Sequence, residues 1–144
     1  MSSAPSFESR APMHEMHHPF ARLLGIRIEV DAAGRPQGRV RVGPEHHNPA
    51  GVAHGGLVFA LADTVMGAAV HLRDNPERAV FLATDVHVRY LRPVIEGELH
   101  ATAQLEAATR NTRVLSARVV REGDGAVVAL LTSRYQRLQA PPAG

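Results

Sequence analysis

Asp63 is the one acid in a run that is otherwise small and apolar, Gly55-Gly56-Leu57-Val58-Phe59-Ala60-Leu61-Ala62-Asp63-Thr64-Val65-Met66. A carboxylate among Leu57, Val58, Leu61, Val65 and Met66 is costly to bury unless it is hydrogen-bonded or used. Aspartate also has poor propensity for a helix interior, because its side chain competes for backbone hydrogen bonds. The run follows a polar, glycine-containing loop, Asn48-Pro49-Ala50-Gly51-Val52-Ala53-His54. The first amides of a helix have no partner within it and lie at the positive end of its dipole, so they attract developing negative charge. An oxyanion-binding helix start with a lone acid two turns further on outlines an acyl-transfer site. Taken from the residues alone, Asp63 is equally a carboxylate satisfied by amides of a neighbouring loop. Gly55 and Gly56 are equally the room that a tight loop-to-helix turn needs.

Asn48, Gly51, the run His54-Gly55-Gly56 and the run Leu61-Ala62-Asp63-Thr64 resemble the signature of the hotdog-fold acyl-CoA thioesterases, closest to the PaaI-like (phenylacetate-pathway) branch. Tyr90-Leu91-Arg92-Pro93 is similar to the aromatic-Leu-Arg-Pro that closes the strand after the central helix in that family, and residues from about 19 to 138 follow its element order. The resemblance implies that Asp63 acts on water as general base or itself as nucleophile, and the sequence leaves both open. It gives the Gly55 amide the thioester oxygen and the Asn48 amide a part in orienting the thioester. Gly56 and Thr64 belong to the substrate-binding surface, and His54 braces the helix start. Many relatives carry Ser or Thr ten residues before the closing proline, where it holds the attacking water. That position is Ala83 here, with Thr84 beside it. Adjacent strand residues face opposite ways, so Thr84 replaces it only if the register shifts by one.

The expected substrate is therefore an acyl-CoA, with coenzyme A as leaving group and no metal or redox cofactor. Arg89, Arg92, Arg110 and Arg113 are ordinarily solvated strand ends, but some of them could meet the coenzyme A phosphates, with Arg113 the first choice, since guanidinium suits bidentate phosphate recognition. The expected partner is a second copy of the chain, as a homodimer or a dimer of dimers. Two rivals remain: a non-hydrolytic acyl-CoA-binding or sensing domain, favoured by Ala83, and a hotdog acyl-CoA hydratase or dehydratase, whose His and acid pairing is not found here.

His14-Glu15-Met16-His17-His18 matches the H-E-x-x-H pattern of zinc metalloproteases. A catalytic zinc needs a buried helix and a third ligand, whereas this run adjoins a Ser-, Pro- and Ala-rich terminus and is followed by Pro19. It is read as coincidence, and the pair His46-His47 with the same caution.

At 144 residues the chain fits one domain with a real core. A pI of about 9.9 hints at a basic binding protein. The net charge is only +2, however, and all sixteen basic residues are arginines that never titrate near neutrality. With aromatics at 4% and no arginine cluster, a nucleic-acid surface is not expected. Cysteine is absent, which removes disulfides, thiolate metal sites and a cysteine nucleophile. The first eighteen residues carry no apolar core of a secretory signal, and the run Leu57 to Val70 is too short to span a bilayer. A cytoplasmic protein is expected.

The elements that must position these groups read in order. Residues 1–13 form a loose tail, residues 14–138 a single domain and residues 139–144 a second loose tail. A short helix covers His14 to Leu24 and stops at Gly25. Ile26, Ile28 and Val30 alternate with Arg27, Glu29 and Asp31, and Val40 and Val42 alternate with Arg39 and Arg41, as in half-buried strands. The long helix runs from near Gly55 to about Leu72. Four further strands centre on Val86-Val88-Tyr90, Leu99 to Leu105, Leu115 to Val119, and Val127 to Tyr135. Six alternating strands and one thoroughly apolar helix predict an α+β fold, an antiparallel sheet wrapped around that helix.

Overall fold

The computed structural model describes residues 18–72, 75 and 78–139. A short helix, α1 (Pro19–Leu24), opens the described chain and is followed by strands β1 (Arg27–Val30) and β2 (Pro36–Val42). After a single 3-10 turn (Pro44–His46) comes the long helix α2 (Gly55–Leu72), then strands β3 (Phe81–Tyr90), β4 (Gly97–Ala108), β5 (Thr112–Arg121) and β6 (Val127–Arg137). The strands form one antiparallel sheet in the order β1-β2-β4-β5-β6-β3. The α+β architecture with one wrapped helix is the one the sequence predicts.

Residue chemistry explains the boundaries. Pro19 occupies the first turn of α1, where its missing N–H costs nothing, and Gly25 ends the helix in the left-handed region at φ 79°. The helix expected from His14 is seen from Pro19; His14 to His17 lie outside the described residues, as do residues 1–13 and 140–144. Helix α2 matches its expected span. Strand β3 begins at Phe81, five residues before the Val86 core that alternation marks, because Ala83-Thr84-Asp85 interrupts the pattern with a bulge.

The core lies between α2 and the concave face of the sheet. Leu61, Val65, Met66 and Val70 of α2 meet Val40, Leu99, Leu115, Val119 and Leu131 from four strands, and all are at most 2% exposed. Strand β2 approaches most closely at Gly38, where a Cβ would stand 2.6 Å from Val65 Cγ2 and 3.0 Å from Leu61 Cδ1. One stripe of α2 stays less covered: Gly56 is exposed, and Phe59, Asp63, Thr64, Gly67 and His71 are half-buried. Strand β3 is a ten-residue edge strand with Leu82 exposed.

On the outer face the arginines are interleaved with acids. Arg39 donates to Glu29 at 2.6 Å and to Glu122 at 2.8 Å, and Arg121 pairs with Asp124 at 2.7 Å. Such exposed pairs add little stability each, but they break up any basic patch. Among the described residues no helix is long and apolar enough to cross a membrane.

Candidate active site

The loop before α2 holds itself in shape. Asn48 Oδ1 accepts from the Ala50 amide at 2.9 Å and the Val52 amide at 3.3 Å, and Gly51 takes the left-handed conformation that closes the turn. These bonds engage the carbonyl end of the Asn48 amide, and the donor end has no part in the turn. Ala53 N–H donates to the Val94 carbonyl at 2.7 Å and His54 N–H to the His46 carbonyl at 2.8 Å. The loop is thus tied to the segment after Tyr90-Leu91-Arg92-Pro93. The two histidines before it serve the backbone: His46 Nε2 donates to the Leu24 carbonyl and His47 Nε2 to the Ile95 carbonyl, each at 2.7 Å.

His54 caps α2. Its Nδ1 accepts the Gly56 amide at 2.8 Å and its carbonyl accepts the Leu57 amide at 2.9 Å. The ring is therefore neutral in this arrangement, with the proton on Nε2. Gly55 N–H, by contrast, has no hydrogen bond among the described residues. Of the first three helix amides it is the one left to an external acceptor. Tyr90 lies over this glycine, its hydroxyl donating to the Gly55 carbonyl at 2.8 Å.

Asn48, Gly55, Tyr90, Arg92, Pro93 and Val128 contribute to a cavity of about 380 Å³, completed by Val52, Ala53, Val58, Leu91 and Val94. Its wall is mostly apolar, with the polar groups gathered at the helix start, as small-molecule sites are built. A larger hollow of about 610 Å³, bordered by Gln37, Thr102, Gln104, Ser116, Arg118 and Thr132, shares no residue with it.

Asp63 lies elsewhere on the same helix. Tyr135 of β6, 4% exposed, donates its hydroxyl to Asp63 Oδ1 at 2.7 Å. Burial, reinforced by the Asp63 charge, raises the phenol far above the ordinary tyrosine value, so it remains a donor. Tyr135 escaped the sequence reading, although alternation along β6 places it on the face of Ala129, Leu131 and Ser133, and a buried tyrosine hydroxyl needs a partner.

Three expected residues have other partners here. The register does shift, between Ala83 and Asp85, with Thr84 as the bulged residue. Yet the Thr84 hydroxyl accepts from Arg134 Nε at 3.0 Å and lies 3.0 Å from Asp85 Oδ2, exposed, not turned to Asp63. Thr64 Oγ1 donates to the Ala60 carbonyl at 2.6 Å, the bond back along its own helix that interior threonines make. Arg113 donates to the Thr109 carbonyl and to the Thr112 carbonyl at 3.1 Å, with its guanidinium 4.6 Å from the Phe81 ring centre. It braces the β4–β5 turn and sits across from Tyr135 in the sheet, away from the cavity. Arg92 lines the cavity instead, its Nη1 anchored on the Val127 carbonyl at 2.6 Å.

The described chain therefore holds these residues in two separate groups. One holds Asn48, His54, Gly55 and Gly56 at the helix start, and the other holds Asp63 and Tyr135. Eight residues at 1.5 Å rise separate Gly55 from Asp63, about 12 Å along the axis.

A family model described as the thioesterase superfamily matches residues 50–128, a span that covers the helix start, Asp63 and the cavity wall apart from Asn48. The chain belongs to the thioesterase superfamily. Its fold is similar to that of the BH2602 protein from Bacillus halodurans in a crystal structure with CoA, at 26% identity and a TM-score of 0.81 over 88% of this chain and 83% of that one. It is likewise similar to the Escherichia coli PaaI protein from the phenylacetic acid degradation operon, at 27% identity and a TM-score of 0.75 over 85% and 86% of the two chains. The TT0310 protein of Thermus thermophilus is 34% identical, with a TM-score of 0.72 over 85% of this chain and 100% of that one. These likenesses fix the fold as the hotdog fold and place the protein beside PaaI and its thioesterase relatives.

Proposed function

We propose that this protein is an acyl-CoA thioesterase that hydrolyses aryl-acetyl or medium-chain acyl-CoA. The observation that carries this reading is the Gly55 amide, left free at the capped start of α2 and opening on the cavity that Asn48 also lines. A free helix-start amide is an oxyanion donor. In the reaction Asp63 takes a proton from water as the water oxygen bonds to the thioester carbon. The carbonyl oxygen becomes an oxyanion, held by Gly55 N–H and the Asn48 side-chain amide. On collapse the carbon–sulfur bond breaks, the sulfur leaves with its electron pair and the proton from Asp63 ends on the thiol. Water and thioester are consumed, and free acid and coenzyme A are released. No metal or redox cofactor enters, and coenzyme A is present as part of the substrate, with Arg92 near enough to the cavity to meet its phosphates.

The site is shared by two copies of the chain. A reacting carbon must lie about 3 Å from both the attacking water and the oxyanion donors, and a separation of about 12 Å along one helix prevents one chain from supplying both. Strand β3, a long edge with unpaired backbone groups on one side, offers a second copy a place to pair. Two-fold pairing there extends the sheet and turns the open stripe of one α2, with Asp63, toward Gly55 of the other.

The test is release of free thiol from a panel of acyl-CoA esters, with and without a chelator. Saturable hydrolysis of at least one class, insensitive to the chelator, is the expected result. Tight binding of every ester without thiol release would replace this reading by the non-hydrolytic one.

A further inference from the structure

A general base must be aimed as well as ionised, and Asp63 on an open helix stripe has little around it to aim it. Among the described residues the exception is Tyr135. Its hydroxyl is 2.7 Å from Asp63 Oδ1, and the Asp63 carbonyl oxygen is 3.1 Å from the same hydroxyl. The ring is buried and pinned in the sheet, paired directly with Arg113 of β5 on one side and Ala83 of β3 on the other. Ala83 carries only a methyl group, so on this row of the sheet the hydroxyl that meets the acid comes from β6.

We propose that Tyr135 is the positioning residue of the Asp63 carboxylate, holding Oδ1 so that Oδ2 is the oxygen presented to water. This rests on the thioesterase reading for its kinetic consequence, whereas the pairing rests on the Tyr135–Asp63 hydrogen bond. A donor on one carboxylate oxygen restricts rotation of the group and leaves the opposite oxygen to accept the proton, which is how a supporting shell sharpens a catalytic group. Because burial keeps the phenol protonated, the donor is present throughout the neutral range.

The experiment compares wild type with Tyr135→Phe, which removes the hydroxyl and keeps the ring. The turnover number should fall about tenfold to a hundredfold with KM within about threefold, and the pH profile of kcat/KM should differ from that of wild type. Tyr135→Phe should cost nothing further in an Asp63→Asn background, because the two residues act as a unit. A second readout needs no activity: the carbon-13 carboxyl signal of Asp63 at neutral pH should change position in Tyr135→Phe, because Oδ1 loses its donor. An unmoved carboxyl signal and an unchanged pH profile in a folded variant overturn the proposal. A moved carboxyl signal in a protein that hydrolyses no thioester upholds the pairing and sinks the thioesterase reading instead. Should Tyr135→Phe fail to fold, the chain's two tyrosines allow another route. Biosynthetic 3-fluorotyrosine in a Tyr90→Phe background alters Tyr135 alone. Its more acidic phenol is a stronger donor, so the Asp63 carboxyl signal should move, and no movement overturns the proposal.

Discussion

The Tyr90 ring occupies the space that a side chain at residue 55 would need: a Cβ on Gly55 would stand 2.9 Å from both Cζ and the hydroxyl oxygen of Tyr90. The same hydroxyl bonds the Gly55 carbonyl, so the strand end and the helix start hold one another. Glycine is required at this position by a neighbouring side chain within the protein itself, before any ligand is considered. Gly55→Ala should therefore displace the ring and cost about 1 kcal/mol, the scale of one net hydrogen bond, despite the better helix propensity of alanine. In a Tyr90→Ala background the same substitution should cost nothing or stabilise slightly. Thermal melts of the four proteins measure the coupling, and equal costs in both backgrounds would show that the ring is not the obstacle.

Asp63→Ala should leave a folded protein whose thioester hydrolysis is lowered roughly a hundredfold or more, the scale of losing general-base catalysis. Thiol release under saturating substrate checks it. Activity within a few-fold of wild type removes Asp63 from the mechanism.

The shared site predicts complementation. An Asp63→Ala chain and a Gly55→Pro chain, each inactive alone, are mixed and allowed to exchange subunits. Proline is tolerated in the first helical turn, removes the N–H and pushes Tyr90 aside, so its damage is confined to the helix-start half of the site. In the heterodimer one site carries both lesions and the other carries neither, so activity should recover to at most about half of wild type. Proven exchange without recovery, or a fully active monomer, defeats the two-chain model.

His71 ties the end of α2 to the start of β3. Its Nδ1–H donates to the Gly67 carbonyl at 2.8 Å, and its Nε2 accepts the Phe81 amide at 3.1 Å, a role open only to the neutral ring. Burial, partly opposed by the Gly67 bond, holds its pKa below the ordinary 6.5. Between that lowered value and 6.5 the unfolded chain binds more protons than the folded one, so stability rises with pH across this window. The contribution is full above pH 6.5 and is lost as pH falls through the window. Denaturation midpoints measured at steps between pH 7.5 and 5 should decline more steeply for wild type than for His71→Gln. Parallel curves would remove His71 as the cause.

Much of this protein was legible before folding was considered. The α2 boundaries followed from the glycine pair at one end and the breaker after Leu72 at the other, and five of the six strands lay near where period-2 alternation put them. The bracing of the helix start by His54 was legible too, because helix starts obey local rules that spacing reveals. The sixth strand was placed too late for a physical reason: β3 lies at the sheet edge, where exposure on both faces blurs alternation, and the Thr84 bulge breaks its parity.

Relations between distant residues were decided by the tertiary structure. The Tyr135–Asp63 bond joins positions 72 apart and depends on how β6 is registered beneath the helix, which no local pattern encodes. Arg113 had the right chemistry for a phosphate, but packing laid its guanidinium on Phe81 and its donors on the β4–β5 turn, while Arg92 reached the cavity because the strand closed there. Sequence by itself determined which groups could do chemistry and on which element each sits, since residue type and periodicity are local properties. Which of them meet was settled by strand register and side-chain packing, since those arise from the whole chain closing on one core.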